Sequence, residues 1–204
     1  MQNGNLDFNK KMQITLNEFS KKPRVLMHAC CAPCASACVE RLKEVAEVTL
    51  FFYNPNMDSD YEFIKRKQEM QKLSIKMGVP LVVIDYDASE YYTAVTGLEN
   101  EREGGKRCDK CFSLRLKKSA DYARENGFDL FCTTLTVSPL KNAKLINQIG
   151  DKIALEQGVK YLPTDFKKKN GYIRSIQLSK ELNFYRQSYC GCTFSKEQTV
   201  LAKL

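Results

Sequence analysis

Apolar positions along this chain follow two alternating rhythms. Compact apolar runs at residues 24–29 (R-V-L-M-H-A), 48–53 (V-T-L-F-F-Y), 81–85 (L-V-V-I-D) and 130–134 predict buried strands. Between them the apolar residues spread to helical spacing. Residues 35–46 carry Val39, Leu42 and Val45 on one face, and residues 61–77 read as a charged amphipathic helix stopped at Gly78. Further helices are predicted at 89–98, from about 109 to 124 with closure at Asn126-Gly127, at 140–157 and at 174–182. Residues 160–172 read as irregular. Residues 1–22 read as a short amphipathic helix or a loose arm, with Met12, Ile14, Leu16 and Phe19 as anchors.

Strands alternating with helices of this length predict an α/β fold, a mostly parallel sheet with helices on both faces. Ligands of such sheets bind beyond the carboxyl ends of the strands. Cys30 follows the first strand, Asn54-Pro55-Asn56 the second, and Thr133-Thr134 with Ser138-Pro139 the fourth, so these loops are expected to share one edge.

Composition sharpens this in two ways. The stretch before residue 20 is polar and charged, so it is no signal peptide, and no apolar run reaches membrane-span length. That predicts a cytoplasmic protein without a membrane partner, in a reducing compartment where clustered cysteines read as metal ligands or redox groups. The net charge of +8 fits a polyanionic partner, with basic clusters at Lys65-Arg66-Lys67, at Arg115 with Lys117-Lys118, and at Lys167-Lys168-Lys169.

The cysteines carry the chemistry. Seven of nine fall into three groups: Cys30, Cys31 and Cys34; Cys108 and Cys111; Cys190 and Cys192. Two CxxC pairs satisfy one tetrahedral zinc, which would leave three cysteines without a role. A four-iron cluster with a second metal or a redox dithiol uses all seven. Spacing leaves iron–sulfur, zinc and dithiol chemistry all open. Side chains of neighbouring Cys30 and Cys31 are expected to diverge and serve different centres. Gly191 lets the backbone turn so that Cys190 and Cys192 face one centre. Cys38 and Cys132 read as core thiols.

Other residues offer supporting roles. His28, the only histidine, shares a strand face with Cys30 and could act beside the metal or give a proton; a core imidazole bonded to backbone is the plainer alternative. Asp109 could be a ligand, an acid or a solvated loop carboxylate. Asn54, Thr133, Thr134 and Ser138 offer hydrogen bonds at strand ends, or ordinary turn chemistry. Lys141 and Lys144 could hold phosphates. Tyr185, Arg186, Gln187 and Tyr189 mix aromatic and basic groups before Cys190, a pattern that grips unstacked bases or simply packs around a metal.

Taken together the motifs resemble a known family. They are Leu26-Met27-His28-Ala29-Cys30-Cys31-Ala32-Pro33-Cys34, Tyr53-Asn54-Pro55-Asn56, Arg107-Cys108-Asp109-Lys110-Cys111, Thr133-Thr134-Leu135 with Ser138-Pro139, and a tail of Asp165-Phe166, Gly171-Tyr172 and Tyr185 to Cys192. In this order, over about residues 24–195, they resemble the cobalamin-independent epoxyqueuosine reductases, the QueH family. Residues 1–23 fall outside as a variable N-terminal extension, and residues 24–204 are expected to form a single Rossmann-like iron–sulfur domain.

The resemblance implies a fold of the adenine-nucleotide α-hydrolase type, a [4Fe–4S] cluster and an additional mononuclear iron. The seven grouped cysteines would be the ligands, with Cys34 at a position where family members can carry a carboxylate. The implied reaction is the last step of queuosine synthesis, reduction of an epoxide on the tRNA wobble nucleoside to an alkene, with an electron donor as partner. His28 or Asp109 would deliver a proton, and Asn54, Thr133, Thr134, Ser138, Tyr185 and Arg186 would bind the anticodon loop. A thiolation enzyme of the same fold class fits less well, because Cys30-Cys31-Ala32-Pro33 stands where a phosphate loop would be. A zinc-stabilised, non-catalytic RNA-binding module is the other alternative.

Overall fold

The computed structural model describes residues 7–201. Its centre is a five-stranded, wholly parallel sheet in the order β3-β2-β1-β4-β5, made of β1 (Arg24–His28), β2 (Glu47–Phe52), β3 (Leu81–Val83), β4 (Leu130–Thr133) and β5 (Lys160–Tyr161). The chain steps outward from β1 to β3, then crosses back to β4 on the other side of β1. That reversal opens a crevice beyond the carboxyl ends of β1 and β4.

One face of the sheet, with Val25, Met27, Leu50, Phe52 and Cys132, packs on α2 (Ala32–Leu42) and α3 (Asp60–Met77). The other, with Leu26, Phe51 and Phe131, packs on α5 (Lys106–Glu125) and α6 (Ala143–Gln157). Burial on both faces explains the uninterrupted apolar strands. Cys38 and Cys132 are fully buried in the first of these cores, as expected of core thiols.

Several boundaries differ from those expected. The helix after β1 starts at Ala32, with Pro33 in its first turn, and ends at Leu42, which leaves Val45 outside it and 40% exposed. Cys108 and Cys111 lie inside the first turns of α5, where a preceding loop was expected to carry Cys108. The stretch 160–172, expected to be irregular, contains β5. The remaining elements are α4 (Ala88–Val95) before α5, a 3-10 turn at Thr134–Val137 directly after β4, and, beyond β5, α7 (Gly171–Glu181) and an unexpected α8 (Thr193–Leu201). The earliest described helix, α1 (Phe8–Asn17), buries Met12 and Leu16 in the core while Ile14 is 56% exposed. Residues 1–6 lie outside the described part.

Candidate metal and substrate site

β1 runs directly into Cys30 and Cys31, and Cys31 caps α2 with an extended backbone (φ −164°). This tight strand-to-helix turn points the helix N-terminus at the thiols, which favours anions there. The sulfur atoms of Cys30, Cys31 and Cys34 all lie within 4.8 Å of one another, and the Cys30 and Cys31 Sγ atoms are 3.9 Å apart. The expected divergence of neighbouring side chains is therefore absent, because the bend at Cys30 turns both sulfurs to one side. Thiolates on a single tetrahedral metal, with bonds of about 2.3 Å, sit roughly 3.8 Å apart. The triad has the size of a one-ion site.

Within the triad, hydrogen bonds from the Cys31 and Cys34 thiols hold the Cys30 thiol well below its usual pKa. The same bond to Cys30 pushes Cys31 up to about 12. A first negative charge is thus ready-made, and the further ones require a cation in place of the protons.

The second group gathers from α5 and the C-terminal segment. Cys108, Cys111, Cys190 and Cys192 line one small, partly enclosed cavity with Arg107 and Arg115. Gly191 has φ +127°, and a Cβ there would stand 2.9 Å from Met57 Sδ and 3.1 Å from an Arg66 nitrogen, so the Cys-Gly-Cys turn needs glycine. Its carbonyl accepts from Asp58 N at 2.8 Å. Burial pushes the Cys108 and Cys192 thiols up and takes Cys111 to about 12. All nine cysteines are free thiols.

Three arginines surround these thiols, each 1% exposed: Arg66, Arg107 and Arg115. Arg66 donates to Glu62 Oε1 (2.7 Å) and to the Cys190 carbonyl (3.0 Å). Arg107 ties down the carbonyls of Leu98 and Glu99 and stacks on Phe194. Arg115 has no carboxylate partner among the described residues, only the Cys111 carbonyl at 3.3 Å. A nitrogen of each guanidinium is buried without a partner. Buried charge in that state costs several kcal/mol unless an anion faces it. A multi-thiolate metal centre is an anion of the required kind, so the residues present fit one. Two of these arginines belong to sequence clusters expected to meet nucleic acid, and the structure turns them inward instead. Periodicity carried the signal: Arg66 falls in the apolar stripe of Phe63, Met70 and Leu73, and Arg115 is one turn from Cys111.

An open cavity of about 320 Å³ lies on the other side of Cys190, lined by Cys30, Cys34, Ser138, Lys141, Arg186 and Tyr189 among others. Burial opposes the charge of Lys141, but its Coulombic interaction with the neighbouring cysteine sulfurs outweighs that and holds the ammonium above its usual range. Arg186 lies over the Tyr172 ring at 5.6 Å on the cavity wall.

The remaining expected site residues sit elsewhere. His28 is fully buried under the triad, with Nδ1 3.0 Å from Thr133 Oγ1 and Nε2 3.1 Å from the Tyr53 carbonyl. A carbonyl only accepts, so Nε2 carries the proton and Nδ1 accepts from the threonine; burial, then Arg115, push the ring's pKa down to about 3. Asn54 donates to the Ala29 carbonyl (3.0 Å), and Asn54, Thr133 and Thr134 are all buried beneath the cysteines. Tyr185 packs back on α3, its N–H bonded to Glu69 (2.9 Å) and its ring under Lys65 Nζ (3.6 Å). Asp109 lines neither cavity.

Residues 25–198 match the protein family described as "Epoxyqueuosine reductase QueH". The chain belongs to the QueH family. That membership places it among the oxidoreductases. A relative named epoxyqueuosine reductase QueH from Streptococcus pyogenes serotype M1 is 41% identical over 202 residues, covering 95% of this chain and 79% of the relative. One from Staphylococcus epidermidis is 36% identical, covering 96% of this chain and 87% of the relative. Among solved structures, the U34-tRNA thiolase NcsA from Methanococcus maripaludis with its [4Fe–4S] cluster superposes with a TM-score of 0.57 at 13% identity, covering 96% of this chain and 71% of that one. At that identity the likeness concerns the fold alone, a parallel sheet with helices on both faces as the sequence predicted. Among the described residues, no helix is long and apolar enough to cross a membrane.

Proposed function

We propose that this epoxyqueuosine reductase holds a [4Fe–4S] cluster on Cys108, Cys111, Cys190 and Cys192 and a single iron on Cys30, Cys31 and Cys34, and acts on the wobble nucleoside of tRNA presented in the open cavity. The observation that carries the reading is the sorting of seven cysteines into two adjoining groups, one compact enough for a single ion. When bound, the cluster supplies electrons one at a time and the second iron a Lewis acid beside it.

The chain's own residues then have definite tasks. The buried guanidiniums of Arg66, Arg107 and Arg115 balance the thiolate charge and stop the groups repelling one another. His28, Thr133 and Asn54 tie the ends of β1, β2 and β4 together, so the turn that presents Cys30 and Cys31 stays fixed. The cavity accepts a base extruded from the anticodon loop, and its volume is that of an ordinary small-ligand pocket. Lys141, at the cavity wall, faces developing negative charge on the departing oxygen. Arg186 and Tyr172 offer a cation and a ring for a flanking base or phosphate, and Ser138 a hydroxyl at the rim.

The test is anaerobic purification with measurement of iron, acid-labile sulfide and zinc per chain, followed by incubation with epoxyqueuosine-containing tRNA and a reductant. Sulfide near four, iron about one higher, and conversion of the epoxide to the alkene are expected. Zinc without sulfide after iron-replete growth, or intact epoxide with full metal loading, overturns the reading.

A further inference from the structure

Reduction of an epoxide to an alkene consumes two protons, and the two residues first considered for that task stand elsewhere. Both ring nitrogens of His28 are engaged, and Asp109 faces neither cavity. Among the described residues a single carboxylate lines the open cavity, that of Glu103. Its Oε2 accepts a hydrogen bond from the Ser195 hydroxyl at 2.9 Å. Glu103 is exposed to water, whereas Ser195 is 1% exposed. Ser195 Oγ also accepts the Cys190 backbone N–H at 3.1 Å. Among the described residues, Glu103, Ser195 and Cys190 line both the open cavity and the smaller one beside Cys108 and Cys111. The pair therefore reaches from solvent to the wall shared by the two thiol groups.

Building on the reductase reading above, we propose that Glu103 and Ser195 form the proton path of the reaction, with Ser195 delivering to the substrate oxygen and Glu103 acting through it. A hydroxyl has one donor hydrogen and two acceptor lone pairs. The Cys190 N–H takes one lone pair. In the resting arrangement the donor hydrogen goes to Glu103 Oε2. Once Glu103 has taken a proton from solvent the bond reverses: the second lone pair receives the Glu103 proton, and the Ser195 O–H passes its own hydrogen to the oxygen. Two electrons come from the reductant that the activity requires, and two protons arrive in succession by this route. Both carbon–oxygen bonds break, the carbon–carbon double bond forms, and the oxygen leaves as water. Glu103 recovers each proton from the solvent it faces.

A rival role for the pair is to brace Cys190, and the two roles differ in what they move. Glu103→Gln, Glu103→Asp, Ser195→Ala and Ser195→Thr are made in the full chain, loaded with metal without oxygen, and compared with the unaltered protein on epoxyqueuosine tRNA. The proton path predicts unchanged iron, sulfide, visible spectrum, tRNA affinity and KM in all four. It predicts kcat lower by on the order of a hundredfold for Glu103→Gln and Ser195→Ala. Glu103→Asp and Ser195→Thr, which keep the exchangeable proton, recover most of that loss. Full turnover by Glu103→Gln at full metal content overturns the proposal. So does metal loss in step with activity loss, which assigns the pair to bracing. Failure of the reductase reading shows separately, as an unaltered, fully loaded protein that leaves the epoxide intact, and it removes this path as well.

Discussion

Arg115 shows how much a single residue can reveal about an absent charge. Its side chain is 1% exposed, touches no carboxylate among the described residues, and keeps one nitrogen unbonded. Such a residue is a liability unless anions face it. Arg115→Met is therefore expected to act in opposite directions on the two forms of the protein. The metal-free variant melts at or above the unaltered protein, by about 1–4 kcal/mol, while retained iron and sulfide fall. Thermal unfolding before and after metal loading, with iron analysis, reads both. A second residue-scale contrast separates thiols by role. Cys132→Ala loses a little packing in a fully buried position, about 1 kcal/mol, and leaves metal content alone; Cys111→Ala lowers metal content. If Cys132→Ala strips iron, the division of the nine cysteines is wrong. Arg66 and Arg115 looked like surface charge in sequence because lysines flank them. Only their register on α3 and α5 turns them inward.

Among the elements, α2 and α5 were legible except at the ends that matter. α5 begins earlier than its apolar spacing suggests, since its first turn is held by Gly105 carbonyl bonds and carries few core residues. Its cysteines thus sit on a helix rather than a loop. β5 escaped notice because two residues at the sheet edge, paired with β4 alone, produce no pattern. α3 offers an element-scale check independent of the metals. Ser59 caps it by accepting from Glu62 N at 3.3 Å, and the helix carries the buried Arg66. Ser59→Ala should cost about 1 kcal/mol in urea unfolding of the metal-free protein, without altering the sulfide bound per chain. A larger loss confined to the loaded form would mean that α3 is positioned chiefly by the centre it faces.

At the scale of the molecule, the proposed metal centres would join segments far apart in the chain: the turn after β1, the start of α5, and the C-terminal tail. Any ligand that binds only the folded form stabilises it. Removal of metal by a chelator is expected to lower the melting temperature and to raise protease sensitivity first around Cys190, whose segment is otherwise held by a few hydrogen bonds. Equal melting curves with and without metal would contradict a cross-linking role. The +8 charge belongs to this scale too. Binding of tRNA should weaken steadily as salt rises, with a slope smaller than a count of lysines and arginines implies, since Arg66, Arg107 and Arg115 are spent internally.

The sequence by itself determined the alternation of strand and helix, the placing of Cys30 and Thr133 at strand ends, and the family, because those depend on local periodicity and on motifs in a fixed order. Tertiary structure alone decided the rest. Strand order put the ends of β1 and β4 side by side, the bend at Cys30 brought neighbouring sulfurs together, and the folding back of the tail set Ser195 against Glu103. Each of these is a contact between residues distant in sequence or a turn in the backbone, and neither leaves a periodic trace in the order of amino acids.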